Sequence, residues 1–204
     1  MLIGVTGQIG AGKSEVAGLL KVRGAFLIDA DGIGRHVTGS PAVLARLARA
    51  FGSEIRTPGG SLRAQALARI VFSDRSGRAL RTLNQLVHPP LGKEIQRLVK
   101  RSFRSQPDRP VVIDAALLPD WTSAPDMELI ILVSARRDLR IRRLVKRGMT
   151  AEDARLRILS QRPLANYRRI ADVTIPNNEG LAELRARVIR LWEARIEPGL
   201  QRIS

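Results

Sequence analysis

Residues 4–14 have the sequence GVTGQIGAGKS and directly follow the apolar start Met1-Leu2-Ile3. They satisfy the phosphate-binding pattern G-x-x-x-x-G-K-[ST], which ends here in Lys13 and Ser14. A short apolar strand precedes the motif, and an amphipathic pattern over about 14–22 predicts a helix after it. Glycines let backbone N–H groups converge on phosphate oxygens, and the following helix adds the positive end of its dipole. The segment therefore predicts a nucleoside triphosphate site.

The residue types of this loop suit distinct roles at a triphosphate. Lys13 supplies a cation for the β and γ phosphates, and we predict that it is catalytic. The Ser14 hydroxyl is placed to ligate Mg²⁺. A glycine-rich turn that merely joins strand to helix is the alternative, and the filled motif with correct flanks disfavours it. The predicted ATP contacts in this segment are Gly10, Ala11, Gly12, Lys13, Ser14 and Glu15.

The composition excludes several classes of site. The chain has 204 residues, of which 44% are hydrophobic, and contains no cysteine. A disulfide framework, a thiolate metal site and a cysteine nucleophile are therefore excluded. The N-terminus lacks the basic stretch and long apolar run of a signal peptide, and no later segment reaches membrane-spanning length. We expect a cytoplasmic protein with no membrane partner.

The formal net charge of +16 raises the alternative of a basic nucleic-acid-binding NTPase. Of the 35 basic residues five are Lys and 30 are Arg, and they are scattered along the chain. Aromatic residues that stack on bases are scarce, with four Phe, two Trp and one Tyr. We therefore expect no specific nucleic-acid partner.

Apolar runs alternate with helical patterns, which predicts a five-stranded parallel sheet with helices on both faces. Two long intervals separate the strands, and both have helical periodicity. The predicted strands are Leu2–Val5, Ala25–Ile28, Val111–Ile113, Leu129–Val133 and Val173–Ile175. The first interval is predicted to hold helices at Ala42–Phe51, Leu62–Phe72, Gly77–Val87 and Leu91–Ser102.

These intervals define a single domain over 1–204 with two helical excursions. The predicted core comprises 1–35, 107–135 and 170–204. A helical acceptor-binding insertion covers about 36–106. A helical lid covers about 136–169, in which Thr150 caps the second helix and Pro163 ends it. This is the layout of nucleoside-monophosphate-kinase-like three-layer α/β/α proteins. A switch GTPase would need a guanine-recognition sequence of the N-K-x-D type, and the chain contains none.

Five further segments, in order along the chain, resemble motifs of the dephospho-coenzyme A kinase family. The resemblance covers essentially the whole chain. The segments are Asp29-Ala30-Asp31 (D-A-D), Phe72-Ser73-Asp74 with Leu83–Pro89 (F-S-D and L-N-x-x-x-H-P), Asp114–Leu118 (D-x-P-L-L), Arg143 and Arg147 with Ile158–Gln161, and Ala171–Asn178 (A-D-x-x-I-x-N-x). The chain departs from the family in a substrate-side loop, where Ala116 replaces Pro, Pro119 replaces an aromatic residue and Asp120 replaces Glu.

The resemblance implies transfer of the ATP γ-phosphoryl group to the ribose 3′-hydroxyl of dephospho-coenzyme A. Asp31, after the second strand, is the candidate catalytic group that orients this hydroxyl. Asp29 is the alternative, and either residue could instead cap the following helix. The resemblance further implies that the acceptor site includes His88, Leu117, Leu118 and Gln161 besides Asp31. Another P-loop small-molecule kinase, acting on a nucleoside or nucleotide, is the alternative function, and a non-catalytic P-loop module is disfavoured.

The remaining candidates concern Mg²⁺ and the nucleotide. Asp114 ends the third strand, where a carboxylate either binds Mg²⁺ or caps the next turn. Arg140, Arg143 and Arg147 share one helical face, which is either solvated or directed at the triphosphate. Arg143, as a catalytic residue, and Arg147 are assigned to ATP by the family motif. Asn177 and Asn178, after the last strand, are predicted adenine contacts, although Asn is common in turns.

Overall fold

The structure is a computed structural model that describes residues 1–74, 76–116, 118 and 125–201. Its strands are β1 (Leu2–Thr6), β2 (Phe26–Asp29), β3 (Val111–Asp114), β4 (Leu129–Ser134) and β5 (Val173–Pro176). They form one parallel sheet in the order β2-β3-β1-β4-β5. All five predicted strands and the parallel α/β class are confirmed.

Ten α-helices are found within the described residues. They are α1 (Lys13–Val22), α2 (Ala30–Gly39), α3 (Pro41–Phe51), α4 (Ala64–Ser73), α5 (Arg78–Ser105), α6 (Arg137–Lys146), α7 (Ala151–Leu159), α8 (Leu164–Ile170), α9 (Leu181–Leu191) and α10 (Glu197–Gln201). None of the described helices has the length and apolar character that a membrane crossing requires.

The sheet register brings the ends of neighbouring strands to one edge. In the central strand β1, Val5 is aligned with Asp114 of β3, and Thr6 is aligned with Leu132 of β4. Asp29 of β2 is also aligned with Asp114. Because parallel strands all end at the same edge, the loop after β1 lies beside Asp114. Ligands bind at this edge in open α/β sheets.

The sheet is held by an apolar core that explains its strand sequences. Ile3 and Val5 of β1 are fully buried, because a central parallel strand is covered on both faces. Helices α1 and α9 contribute Leu20 and Val188 to the same core. After α9 the chain forms a π-helical turn, Trp192–Ile196, before α10.

The chain divides into two compact units. The larger comprises Met1–Asp29 and Leu98–Ser204, and contains the sheet. The smaller, Ala30–Arg97, is helical and has a core of its own around Leu44, Leu47 and Ile55. This helical unit overlaps the segment, about 36–106, for which the acceptor-binding insertion is predicted. The segment predicted as a lid, 136–169, falls within the larger unit.

Helix α5 differs from the prediction. The pair Pro89-Pro90 suggested a boundary between two helices, but α5 continues through both prolines from Arg78 to Ser105. Proline lacks an N–H and clashes with the preceding turn, which is why a break was expected. Val87 and Ile95 are buried on either side of the pair, and this packing outweighs the local preference. His88 therefore lies inside a helix and not between two.

The second excursion contains one helix more than predicted. Helix α6 leads to α7, whose first turn is capped as expected, with the Thr150 side chain accepting from the Asp153 N–H at 3.0 Å. Helix α7 already ends at Leu159, and α8 follows Pro163, which precedes its first turn. Ile9 packs against α6 and α7 in a small apolar cluster with Leu144 and Ile158.

Candidate active site

The loop after β1 has the tight backbone that a phosphate site requires. Gly10 and Gly12 have positive φ values of 77° and 100°, a region that favours glycine. A Cβ at Gly12 would collide with the side-chain amide of Asn177, and one at Gly10 would lie 2.9 Å from the Arg140 carbonyl oxygen. Gly12 directly precedes α1, so the loop opens onto a helix N-terminus.

Lys13 and Asp114 form a buried ion pair at this edge. The Lys13 Nζ donates to Asp114 Oδ1, and the two residues are only 9% and 5% exposed. Because β3 lies beside β1, the carboxylate at the end of β3 is within reach of the first residue of α1. Each charge compensates the other where water is largely excluded. The motif lysine is therefore held at the loop by a carboxylate.

Arg143 and Asn177 support the loop from two other elements. Arg143, on α6, donates to the carbonyl oxygens of Gly10 at 3.3 Å and Ala11 at 3.2 Å, and to the Asn177 carbonyl at 2.9 Å. The Asn177 side-chain nitrogen also donates to the Ala11 carbonyl, at 2.8 Å. Burial, with the neighbouring Arg147, lowers the pKa of Arg143. Both side chains thus bind the backbone of the phosphate loop.

The environment of Arg140 matches neither of the two interpretations from the sequence, a solvated face or a face directed at the triphosphate. It is only 4% exposed, so it is not part of a solvated face. Its guanidinium donates to the Ile9 carbonyl at 2.8 Å, to Gln8 Oε1 at 2.6 Å and to Gln161 Oε1 at 3.3 Å. These are neutral oxygens, and burial lowers the Arg140 pKa. The spacing of the three arginines predicted a shared face but not these partners.

Gln161 and Gln8 complete the contacts between the loop and the second excursion. Gln161 Oε1 accepts from the Ile9 N–H at 2.8 Å. Gln8 Nε2 donates to the Arg162 carbonyl at 2.9 Å. Gln161 was predicted in the acceptor site, and its oxygen is here bound to the phosphate loop. No sequence motif marked Gln8, because it occupies a variable position of the pattern.

A cavity of about 620 Å³ lies next to the loop between α6 and the start of α9. The side chain of Arg143 lines it from α6, that of Arg147 from the position directly after α6, and Asn177 lines it from the loop after β5. The side-chain oxygen of Asn178 instead accepts a hydrogen bond from the Arg136 N–H at 3.0 Å. The remaining lining residues are Glu15, Lys146, Gly180, Leu181 and Leu184.

The other predicted residues have diverse locations. Ser14 and Glu15 are exposed in the first turn of α1, and Leu118 is buried in the larger unit. Asp31 lies in the first turn of α2, and His88 is buried in α5, both within the helical unit. Leu117, Pro119 and Asp120 lie outside the described residues. Within the described part of the chain, no group of three or more His, Cys, Asp or Glu side chains could hold a metal ion.

A glycine-rich loop that leaves the central strand of a five-stranded parallel sheet, with its lysine at a helix N-terminus, defines the class of P-loop kinases. Comparison with solved structures agrees. TT1252 from Thermus thermophilus matches 95% of this chain and 96% of its own, with a TM-score of 0.78 and 30% identity. The dephospho-CoA kinase of Campylobacter jejuni shares the fold, with a TM-score of 0.65, 20% identity and coverage of 94% and 95%.

Sequence comparison identifies the family within this class. The family model described as CoaE, dephospho-CoA kinase, matches residues 1–183. The dephospho-CoA kinase of Streptomyces avermitilis is 41% identical over 193 residues, which cover 93% of this chain and 91% of that protein. The chain belongs to the dephospho-CoA kinase family and is a kinase.

Proposed function

We propose that this chain transfers the γ-phosphoryl group of ATP to the ribose 3′-hydroxyl of dephospho-CoA, giving CoA and ADP. The observation that carries the proposal is the phosphate loop, held in shape by Arg143 and Asn177 with Lys13 at its end, in a member of this family. Phosphoryl transfer depends mainly on positioning and on charge neutralisation. A loop of oriented amides next to cationic side chains supplies both.

The triphosphate would occupy the loop from Gly10 to Ser14. Backbone N–H groups and the dipole of α1 bind phosphate oxygens, and Lys13 binds the β and γ phosphates. Lys13 is bonded to Asp114, so the incoming phosphates would share or take over its ammonium group. Arg147 is exposed directly after α6 and lines the cavity next to the loop, so it is placed to approach the nucleotide.

The same loop has oxygen ligands that fit Mg²⁺. The Ser14 hydroxyl is exposed at the start of α1, and the Asp114 carboxylate ends β3 beside the loop. Mg²⁺ prefers such oxygen ligands and keeps several water molecules, so two protein groups are sufficient beside the phosphates. Held by these two residues, Mg²⁺ would supply neutralisation of the phosphate charge. We therefore assign Ser14 and Asp114 to it.

The cavity next to the loop is a suitable place for the adenosine part of ATP. Leu181 and Leu184 provide apolar surface, and Arg147 provides a planar cation that can stack on a base. Asn177 lines the cavity, but its side-chain amide donates a hydrogen bond to the Ala11 carbonyl of the loop. It would therefore contribute to nucleotide binding by shaping the site. Asn178 is proposed as a second contact through its backbone or amide nitrogen.

For the acceptor, Asp31 is the proposed group that orients the 3′-hydroxyl and accepts its proton. The hydroxyl oxygen forms a bond to the γ phosphorus while the bond from that phosphorus to the β–γ bridging oxygen breaks, and ADP leaves. Asp29 is the alternative for this role. The proposed binding residues on the acceptor side are His88, Leu117 and Leu118. Gln161, which the family resemblance also places there, has its side-chain oxygen bound to the phosphate loop and is assigned to that loop.

The decisive experiment measures ADP formation with MgATP and separate acceptors: dephospho-CoA, adenosine, a nucleoside monophosphate and no acceptor. We expect turnover with dephospho-CoA only, and a new 3′-phosphomonoester signal in the ³¹P NMR spectrum of the product. Lys13→Ala is the control, since it should be inactive while its circular dichroism spectrum is unchanged. Preferred turnover of a nucleoside or nucleotide would support the alternative function, and activity in Lys13→Ala would refute the role of the loop.

A further inference from the structure

The segment Gln8-Ile9 of the phosphate loop is bound by side chains from the second helical excursion. Arg140 of α6 and Gln161, after α7, bind the C=O and the N–H of Ile9 respectively. Arg140 also donates to Gln161, so the two side chains and the Ile9 backbone form a closed set of hydrogen bonds. Every residue of this set lies in the larger unit.

Arg140 is a cation buried among neutral acceptors. Its three donated bonds end on one backbone carbonyl and two side-chain amide oxygens, and among the described residues no carboxylate pairs with it. Burying a charge without an opposite charge is unfavourable unless hydrogen bonds compensate it. Bonds donated by a charged group are stronger than neutral ones. The Ile9 carbonyl is therefore held firmly in one orientation.

The orientation of this carbonyl determines where the Gly10 N–H points. The two groups belong to one peptide unit, and in a trans peptide the C=O and N–H point in opposite directions. With the Ile9 oxygen on Arg140, the Gly10 N–H is directed away from α6. Within the described part of the chain, this N–H donates to no acceptor. Gly10 has a φ of 77° and no side chain, so without the Arg140 bond this peptide could rotate easily.

The preceding peptide is fixed at both of its ends. The Ile9 N–H donates to Gln161, and the Gln8 carbonyl accepts from the Ala11 N–H at 3.0 Å. Arg140 holds the carbonyl of the Ile9-Gly10 peptide, and Gln161 holds the N–H of the peptide before it. Both side chains are therefore needed to oppose rotation of the Ile9-Gly10 peptide. The packing of Ile9 against Leu144 and Ile158 adds an apolar contact on the same side.

We propose that Arg140 and Gln161 are positioning residues that hold the Gly10 N–H in the direction of a nucleotide phosphate. They act through the loop and touch neither ATP nor the acceptor. The proposal rests on the proposed function only in taking the loop as a nucleotide site. The ligand class it concerns is any nucleoside di- or triphosphate.

The test uses Arg140→Met, which keeps the apolar stem, and Gln161→Leu, which keeps the volume. The matched control is Arg142→Met, because Arg142 is exposed on the same helix and bonded to Asp138. ADP affinity is measured by calorimetry, and KM for ATP, KM for dephospho-CoA and kcat are measured separately. We expect each variant to weaken ADP binding and raise KM for ATP about tenfold, the equivalent of one strong hydrogen bond, with KM for dephospho-CoA unchanged.

A spectroscopic signature separates positioning from a general structural role. The sequence contains three Ile-Gly pairs, at residues 3–4, 9–10 and 33–34. Labelling with ¹³C-carbonyl Ile and ¹⁵N Gly therefore selects the amides of Gly4, Gly10 and Gly34. On adding ADP to the parent protein, the Gly10 proton should move downfield as it bonds to phosphate. In both variants this shift should shrink, while Gly4 and Gly34 keep their positions.

The outcomes distinguish this proposal from the proposed function. If the parent protein binds no ADP, the nucleotide site itself is wrong. If the parent binds ADP and folded Arg140→Met binds it equally well with the full Gly10 shift, only the positioning role is wrong. Should Arg140→Met not fold, Gln161→Leu decides in the same way. A double variant supports the proposal if its loss is smaller than the product of the two single losses.

Discussion

At the scale of single residues, Arg143 donates to four acceptor atoms on three residues in two loops, and this arrangement requires a guanidinium. Its two terminal nitrogens reach the Gly10 and Ala11 carbonyls and Asn177 together. A lysine carries the same charge but presents a single nitrogen, so it cannot occupy all of these positions. The planar fork, rather than charge alone, holds α6 and the loop after β5 against the phosphate loop.

Arg143→Lys should therefore reduce kcat/KM for ATP on the order of tenfold, since it retains charge but loses bonds to the loop. Steady-state kinetics with varied ATP check this expectation. Arg142→Lys, one residue away and exposed, should have little effect. Equal and small effects of both substitutions would indicate that the Arg143 contacts are dispensable.

Asp31→Asn should lower kcat on the order of a hundredfold with a modest change in ATP affinity, if Asp31 accepts the proton of the attacking hydroxyl. The replacement is nearly isosteric, so a large loss would not come from packing. Asp29→Asn is the matched control, as it changes the neighbouring carboxylate. A large loss in Asp29→Asn with normal Asp31→Asn turnover would transfer the role to Asp29.

The residues of the loop motif could be predicted because their chemistry is tied to a sequence pattern. Lys13 and Ser14 are found at the start of α1, where the pattern places them. The bonds of Arg140 could not be predicted, because its acceptors are a backbone carbonyl and two amides that no motif encodes. The spacing of Arg140, Arg143 and Arg147 predicts that they share one helical face. The hydrogen-bond acceptors of Arg140 follow only from the packing of α6 on the loop.

At the scale of elements, the start of α5 depends on Asp74. Its carboxylate accepts from the Ser76 N–H and hydroxyl and from the Ala79 N–H in the first turn of α5. These bonds, led by the Ser76 side chain, lower the pKa of Asp74 to about 2 from 3.8. The ionised form is therefore the one that stabilises the start of the helix.

Asp74→Ala should lower the thermal midpoint at neutral pH, because the helix start loses its acceptor. Since the pKa is depressed on folding, the stabilisation is complete above pH 3.8 and is lost as pH falls through about 2. The difference between parent and variant should narrow over that interval in thermal melts. Asp108→Ala, at an exposed aspartate, is the control. A parent carboxyl that titrates near 3.8 by ¹³C NMR would contradict this account.

The strands were predictable as elements, and some helices were not. Buried parallel strands are continuous apolar runs, a strong signal even for four residues. Helix α8 has seven residues, too few for a periodic pattern to be recognised. Helix α5 continues through Pro89-Pro90, although proline usually interrupts a helix. Residues on both sides of the pair are buried, and this burial depends on the tertiary structure and not on the local sequence.

At the scale of the whole molecule, the basic residues behind the net charge of +16 are spread along the whole chain. Several arginines are bonded internally, among them Arg109 to the Gly24 carbonyl and Arg187 to Glu183. We expect binding to duplex DNA to be weak and lost between about 50 and 200 mM salt, as for non-specific phosphate contacts. Fluorescence anisotropy with a labelled duplex checks this. Tight, sequence-selective binding at physiological salt would restore the nucleic-acid alternative.

The strand order has a consequence for how the polypeptide reaches its native state. During synthesis β1 emerges first, yet it lies at the centre of the sheet and its neighbours begin only at Val111 and Leu129. Pairing of β1 must wait until the intervening chain, including the helical unit, has been made. Such pairings between distant segments close long loops and slow folding. We therefore expect the phosphate loop, which precedes these partner strands in the sequence, to take its final shape late in folding.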